Sequence, residues 1–267
     1  MNLNTLFKEG AIWVPKTEQA YAWLVSNGPV VVAPDLPAWM LTKLTKEGRL
    51  LRLRRGVYAV PDANGRLDLP AIAVGALVEP KGHVSFYAAL AHWGLTDQDP
   101  RRVGFVSAAR HSPVKVGPQT VVFVPRPGEV RRADTAEVVA AGTRVRVAVP
   151  GKAFLDALTS PRLGAAPAEL LRVLDSGLLS GKLTEEDLVS RSARAGVAAT
   201  RRLGVLLEAL TGRARPELLK RVRSSHAYVS LAGPEGAAAK ERVPTWLVET
   251  VASPDRIRAA AGVGDVG

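Results

Sequence analysis

Residues 35–61, DLPAWMLTKLTKEGRLLRLRRGVYAVP, constrain the fold more than any other stretch, because one basic segment carries a helix signal, a tight turn and two strand signals. From Leu36 the apolar residues Met40, Leu41 and Leu44 recur at helical spacing. Thr42, Thr45 and Lys46 fall on the opposite face, with Lys43 at its rim. One face therefore packs and the other is free for a partner. Asp35 is placed to cap the first turn, and Pro37 is tolerated there because that turn has no internal N–H bond to lose. Gly48 suits the left-handed position beyond the last turn. Leu51 and Leu53 then alternate with Arg52 and Arg54, as in a strand with one buried and one wet face. Arg55-Gly56 turns the chain, residues 57–60 return antiparallel, and Pro61, lacking a donor, ends the pairing.

A helix followed by a basic hairpin reads as a winged helix. A helix of about three turns fits the major groove of DNA, and a basic hairpin beside it reaches phosphates. The candidate DNA-binding residues are Thr42, Lys43, Lys46, Arg49, Arg52, Arg54 and Arg55. Of these Thr42, Lys43 and Lys46 approach base edges, while Arg52, Arg54 and Arg55 meet phosphates. A solvated amphipathic helix with an ordinary hairpin leaves the same pattern, so the rest of the chain has to be weighed.

The 267 residues suffice for two domains, and 47% hydrophobic content gives each a core. The formal net charge of +11 attracts nucleic acid, acidic proteins or anionic membranes without choosing among them; genome composition or a hot-living source also raises such a charge. Absence of cysteine excludes disulfides, thiol catalysis and cysteine-ligated metals. No apolar run of about 18 residues and no leader pattern occurs, so no membrane partner and a cytoplasmic location are expected.

Before the basic segment, residues 1–16 hold Leu3, Leu6, Phe7, Ile12 and Trp13, enough to dock on something. Thr17 opens a packed helix with Tyr21, Trp23, Leu24 and Val25 that ends at Asn27-Gly28. The turn signal Asp62-Ala63-Asn64-Gly65 places a boundary near 65, giving a winged-helix domain over 1–65 and a second domain over 66–267. That second domain opens with a helix over 69–78 and a helix capped by Ser85, carrying Phe86, Tyr87, Ala89, Leu90 and Trp93 and stopped by Gly94. Strands are expected over 103–106, 121–124 and 144–149, then a helix from Pro150 through Phe154, Leu155 and Leu158. Helical periodicity dominates from 167, with rows at Leu170, Leu171, Val173, Leu174, then Leu188 and Val189, then Leu203, Leu206, Leu207 and Leu210. Two strands over 227–231 and 245–250 and a frayed end over 259–267 complete the chain. The fold class is α+β: a winged helix followed by a larger mixed α/β domain with a helical carboxy-terminal portion.

A second basic concentration lies in the helical portion, at Arg191, Arg194, Arg201, Arg202, Arg213, Arg215, Lys220, Arg221 and Arg223. Either it lines a face that meets phosphates, RNA or an acidic protein, or it is a solvated surface. Arg191, Arg194, Arg201, Arg202, Arg213 and Arg215 are the candidate partner surface.

Enzyme chemistry finds little support. His83, His92, His111 and His226 lack metal-ligand spacing, and the terminal residues 262–267 fit G-x-G-x-x-G but precede no helix. Asp97-Gln98-Asp99 follows a helix stop and precedes Pro100, which suits a turn better than a magnesium pair. No catalytic residue, metal ligand or cofactor is therefore expected.

Several segments carry a family resemblance. Leu44, Gly48, Leu50 and Arg55-Gly56-Val57-Tyr58 resemble the amino-terminal winged helix of AbiEi-type antitoxins, from bacterial abortive-infection and type IV toxin–antitoxin systems. Residues 83–98, HVSFYAALAHWGLTDQ, are similar to that family's S-x-x-x-A-L-x-x-x-G-L-T-x-Q stretch; residues 149–156, VPGKAFLD, to P-x-K-x-L-L-D; and residues 202–208, RLGVLLE, to R-L-G-x-L-L-E. The segments keep the family order over most of 36–210. One departure stands out: members commonly carry an extra short helix before the recognition helix, where this chain has Gly28-Pro29-Val30-Val31-Val32, a candidate first strand. The resemblance implies a non-enzymatic antitoxin that counteracts a nucleotidyltransferase toxin, directly or through RNA, and represses its own promoter at inverted repeats. The alternative is a stand-alone winged-helix regulator with a ligand-sensing or oligomerising second domain.

Overall fold

The computed structural model describes residues 16–26, 30–32, 36–130, 134–222, 227–232 and 241–263. The expectations for residues 1–15, the Asp35 cap, Arg223, His226 and the end over 264–267 lie outside the described residues.

The amino-terminal unit is helix, strand, helix and hairpin: α1 (Lys16–Ser26), β1 (Val30–Val32), α2 (Ala38–Lys46), β2 (Leu51–Arg54) and β3 (Val57–Ala59). Its strands pair antiparallel in the order β1-β3-β2, so Val30–Val32 does form a strand. Thr17 lies inside the first turn of α1, where it is buried, rather than capping it. Met40, Leu41 and Leu44 of α2 pack with Ala20, Leu24 and Leu50 in a small core, as their 3.6-residue spacing requires. Pro37 stands at the N-cap, and Gly48 takes the left-handed conformation at φ 71°.

The hairpin is shared property. Tyr58 and Val60 pack on the small core, but Leu53, Val57 and Ala59 belong to the main core of the rest of the chain. The Asp62 turn after it is built as expected, with Asp62 Oδ1 accepting from the amides of Asn64 and Arg66.

The larger unit holds a six-stranded mixed sheet of order β6-β7-β5-β4-β9-β8. The strands are β4 (His83–Val84), β5 (Arg102–Ser107), β6 (Val114–Val116), β7 (Gln119–Pro125), β8 (Thr135–Ala140) and β9 (Thr143–Ala148). Side-chain alternation splits its faces: Phe105, Val121 and Phe123 enter the main core, whereas Val106, Val122 and Val124 meet Phe86, Val130 and Leu163 in a smaller cluster. Helix α3 (Ala71–Val78) lies on the main-core face and touches β2 as well as the sheet. Helices α4 (Phe86–His92) and α5 (Pro127–Val130) pack against β5, and α6 (Pro150–Thr159) runs beside α4.

The helical portion is α7 (Pro167–Leu179), α8 (Glu185–Ala195), α9 (Val197–Thr211), α10 (Pro216–Val222) and α11 (Pro254–Ala261). Helix α9 is the hub and touches α6, α7, α8, α10 and α11. A small sheet, β10 (Val229–Leu231), β11 (Glu241–Val243) and β12 (Val248–Thr250), packs beside it, and Trp246 is fully buried against Gly204 of α9. A Cβ on Gly204 would lie 2.3 Å from the Trp246 ring, so only glycine allows this approach.

Of the strand expected over 245–250 only Val248–Thr250 is strand, 244–247 being turn, and the sequence reading is corrected in three further places. Residues 254–261 form α11, with Ile257 and Ala261 buried, where a frayed end was expected from 259. Strands β4, β6, β8 and β11 and helices α5, α10 and α11 carry no readable pattern, because most span too few residues to display a period. Ser85 stands at the N-cap of α4 but its hydroxyl does not cap the helix; it donates to Asp156 instead.

Candidate functional site: a basic face and a charged cavity

On the amino-terminal unit the structure sorts the expected DNA-binding residues into two groups. Thr42, Lys43 and Lys46 are exposed on α2, and Arg52 and Arg55 are exposed on the hairpin. Thr42 donates its hydroxyl to the Ala38 carbonyl at 2.8 Å, and Lys43 stands 3.9 Å from Glu47, a loose pair that leaves its charge in solvent. Arg49 and Arg54 are turned inward. Arg49 makes a bidentate pair with Glu18 at 2.7 Å and stacks on Tyr21 at 3.9 Å, so it ties the loop after α2 to α1. Those hydrogen bonds lower the Glu18 pKa and raise that of Arg49. Arg54 Nε donates to the Leu77 carbonyl of α3 at 3.1 Å. A β-bulge causes this: Arg52 opposes Tyr58 while Arg54 opposes Val57, so the extra residue Leu53 shifts Arg54 to the inner face. Strict alternation placed Arg54 in solvent, and the bulge overturns that.

Trp39 was not among the sequence candidates, yet it is 58% exposed on α2, four residues before Lys43 and seven before Lys46. Its spacing from those lysines is the signal that marks it.

The second basic run is largely structural. Arg201 and Arg202 are 1% and 9% exposed and form no partner surface. Arg201 donates to the carbonyls of Ala227 at 2.5 Å and Val222 at 3.2 Å, and Arg202 to those of Ser230 at 2.7 Å and Leu158 at 2.5 Å. They pin β10 and α6 to α9. Burial holds the Arg202 pKa below its ordinary value. The cause is the helix: α9 is packed on every side, so its polar positions have no wet face to occupy. Arg215 pairs with Glu185 at 2.5 Å, and Arg221 donates to the Val189 carbonyl and to Ser192. Arg213 and Lys220 are exposed.

Arg191 and Arg194 border a cavity of about 840 Å³ between α5, α6 and α8, which is also lined by Arg126, Glu129, Asp134, Lys152 and Asp156. At its floor the Asp156 carboxylate accepts Ser85 Oγ at 2.5 Å, Lys152 Nζ at 2.9 Å and Arg126 Nη1 at 3.0 Å. Glu129 bridges Lys152 at 3.0 Å and, loosely, Arg126 at 3.4 Å. Arg191 binds Asp187 at 2.7 Å and also Asp134; despite burial, which opposes it, these carboxylates raise its pKa. The residue after Ser85 is strained: Phe86 has φ 61°, fits over Gly104, and lies under the Arg126 guanidinium at 5.3 Å.

His83, on β4, is fully buried, and among the described residues neither ring nitrogen has a hydrogen-bond partner. Burial first, then the charges of Lys152, Arg146 and Arg126, lower its pKa to about 3 and keep it neutral. His111 stands 3.2 Å from Glu79, and Asp99, in a segment without helix, strand or hydrogen-bonded turn, accepts Gln119 Nε2 at 2.7 Å. Among the described residues no group of three or more histidine or acidic side chains is placed to hold a metal, and no helix is long and apolar enough to cross a membrane.

Three of the four segments behind the family resemblance, 83–98, 149–156 and 202–208 in that order, meet in space. Ser85 from the first bonds Asp156 of the second, Lys152 joins it one turn away, and Arg202 of the third reaches the Leu158 carbonyl two residues past Asp156. In the first segment Tyr87 and Thr96 both donate to Glu169 at 2.7 Å. Burial opposes ionisation of Glu169, but these bonds and Arg172 outweigh it and lower its pKa.

No family model matches the chain, and no curated protein does. Among solved structures the chain is similar to the RV2827C protein from Mycobacterium tuberculosis, with a TM-score of 0.57 and 18% identity over 93% of this chain and 96% of that one. That likeness extends over both units and establishes a shared α+β fold.

Proposed function

We propose that the chain is a DNA-binding repressor and the antitoxin of a toxin–antitoxin pair, with α2 as its recognition helix and the β2–β3 hairpin as its wing. One observation carries the DNA-binding half: Trp39, Thr42, Lys43 and Lys46 share the solvent face of α2, with Arg52 and Arg55 exposed on the adjoining hairpin. Arg52 and Arg55 supply phosphate-directed charge, Thr42, Lys43 and Lys46 face base edges, and Trp39 supplies an apolar surface suited to a thymine methyl group. Among its described residues the unit has one helix fewer than the family pattern, α1 and α2.

Neutralisation of a nucleotidyltransferase toxin is supported by the sequence resemblance, whose segments build the polar floor of the cavity. The test is twofold. The full chain should bind duplex DNA from upstream of its own gene more tightly than random duplex, and should rescue cells expressing a neighbouring nucleotidyltransferase. Promoter binding without rescue favours the stand-alone regulator, a reading to which the cavity lends weight as a sensing site. Absence of both sinks the proposal.

A further inference from the structure

We propose that the cavity between α5, α6 and α8 binds a phosphate monoester, held by Lys152, Arg191 and Arg194, and that Glu129 is the group it displaces. Four cations and three carboxylates line the space among the described residues: Arg126, Lys152, Arg191 and Arg194 against Glu129, Asp134 and Asp156. The carboxylates are unequally committed. Asp156 has a side chain only 7% exposed and is saturated by Ser85, Lys152 and Arg126. Asp134 is taken by Arg191. Glu129 sits on the short α5, is 44% exposed, and reaches Arg126 only at 3.4–3.5 Å, beyond a good charge-assisted bond. It fills the anion position between two cations without being locked there.

The cations keep donors in reserve. Lys152 has three N–H groups and spends two, on Glu129 and Asp156. Arg191 spends Nε and Nη1 on Asp187 and Asp134, leaving Nη2. Arg194 is exposed, lines the cavity and makes no ion pair among the described residues. A dianion entering here replaces the single charge of Glu129 and can gather the remaining N–H groups of Lys152, Arg191 and Arg194. At about 840 Å³ the space is far larger than a phosphate ion and within the ordinary range for a small organic ligand, and Leu155 and Ala195 offer apolar wall to the part that carries the phosphate. Hence a monoester rather than the inorganic ion. The phosphate can belong to a free small molecule or to the end of a nucleic-acid strand, and the two are separable by experiment. This inference does not depend on the DNA-binding reading.

The experiment is calorimetric titration of the full chain with adenosine 5′-monophosphate and with a 5′-phosphorylated RNA hexamer, each against its unphosphorylated counterpart. Phosphate-dependent binding of at least one is expected. Response to the nucleotide indicates a small-molecule ligand, and response to the hexamer alone indicates a strand end. Arg194→Glu should weaken the phosphate-dependent affinity by about tenfold or more, and Glu129→Gln should tighten it several-fold, since it removes the competing charge. Both variants should keep the wild-type thermal midpoint and duplex-DNA affinity. The proposal is overturned by equal binding of phosphorylated and unphosphorylated probes, by no binding of either, or by an Arg194→Glu variant that binds as the wild type does.

Discussion

The two basic regions look alike as sequence and differ as structure. Around residues 43–55 the cations flank a helix with one short apolar row, Met40, Leu41 and Leu44, so most of that helix stays wet and Lys43, Lys46, Arg52 and Arg55 remain in solvent. In the second basic run Arg201 and Arg202 share α9 with Leu203, Val205, Leu206 and Leu207, which are buried on all sides, and go inside with them. A buried guanidinium needs acceptors, and carbonyls at the ends of α6 and α10 and around β10 accept from Nη1 and Nη2 of Arg201 and from Nε and Nη1 of Arg202. The difference teaches that the number of apolar faces on a helix, rather than its count of arginines, decides whether positive charge is a surface or a structural tie.

The sharpest way to break this contrast is at Arg202. Arg202→Glu strands the Ser230 and Leu158 carbonyls and buries an unpaired carboxylate, so it should cost about 3–5 kcal/mol or abolish folding, as measured by thermal and urea denaturation. Arg213→Glu, exposed at the end of the same run, should change stability by less than about 0.5 kcal/mol. Equal effects at the two sites would erase the distinction.

A second test concerns how far the two regions are independent. Leu53, Val57 and Ala59 of the hairpin are buried in the main core, and Arg54 ties it to α3. A fragment ending at residue 65 should therefore unfold at lower temperature than the full chain or self-associate, and the full chain should melt in one transition. Two separate transitions in calorimetry, one matching the fragment, would show the units to be autonomous.

His83 gives a pH test of the larger unit. Its folded pKa of about 3 lies below the unfolded value near 6.5, so the unfolded chain takes up the proton first. Stability is fully present above about pH 6.5 and is lost as pH falls towards 3, by at most about 1.4 kcal/mol per pH unit from this group. His83→Leu should flatten that acid limb in urea titrations between pH 6.5 and 4; an unchanged slope would mean the imidazole is not held neutral.

Much of the amino-terminal unit was legible in sequence, because α2 is periodic, its end has a glycine, and its hairpin alternates. The bulge at Leu53 was not, since a one-residue insertion leaves composition untouched while it turns Arg54 inward. In the larger unit the main helices of the carboxy-terminal portion were readable, and the apolar density around Arg201 and Arg202 was the available warning that they are buried. The cavity was not readable: Arg126, Glu129, Lys152, Asp156, Arg191 and Arg194 come from segments up to 68 residues apart, and only the sheet and α6 bring them together. Ser85 was visible as a cap by type, yet its real partner, Asp156, lies 71 residues away.

On the proposed function, DNA-directed charge resides on α2 and the hairpin and not on the second basic run. The most direct test is the salt dependence of affinity for the upstream duplex. Replacing Arg52 and Arg55 by alanine together should reduce the slope of log affinity against log salt by roughly two, close to one unit for each lost phosphate contact. Replacing Arg194 and Arg213 should leave the slope unchanged. A slope untouched by the first set, or lowered by the second, would contradict the account.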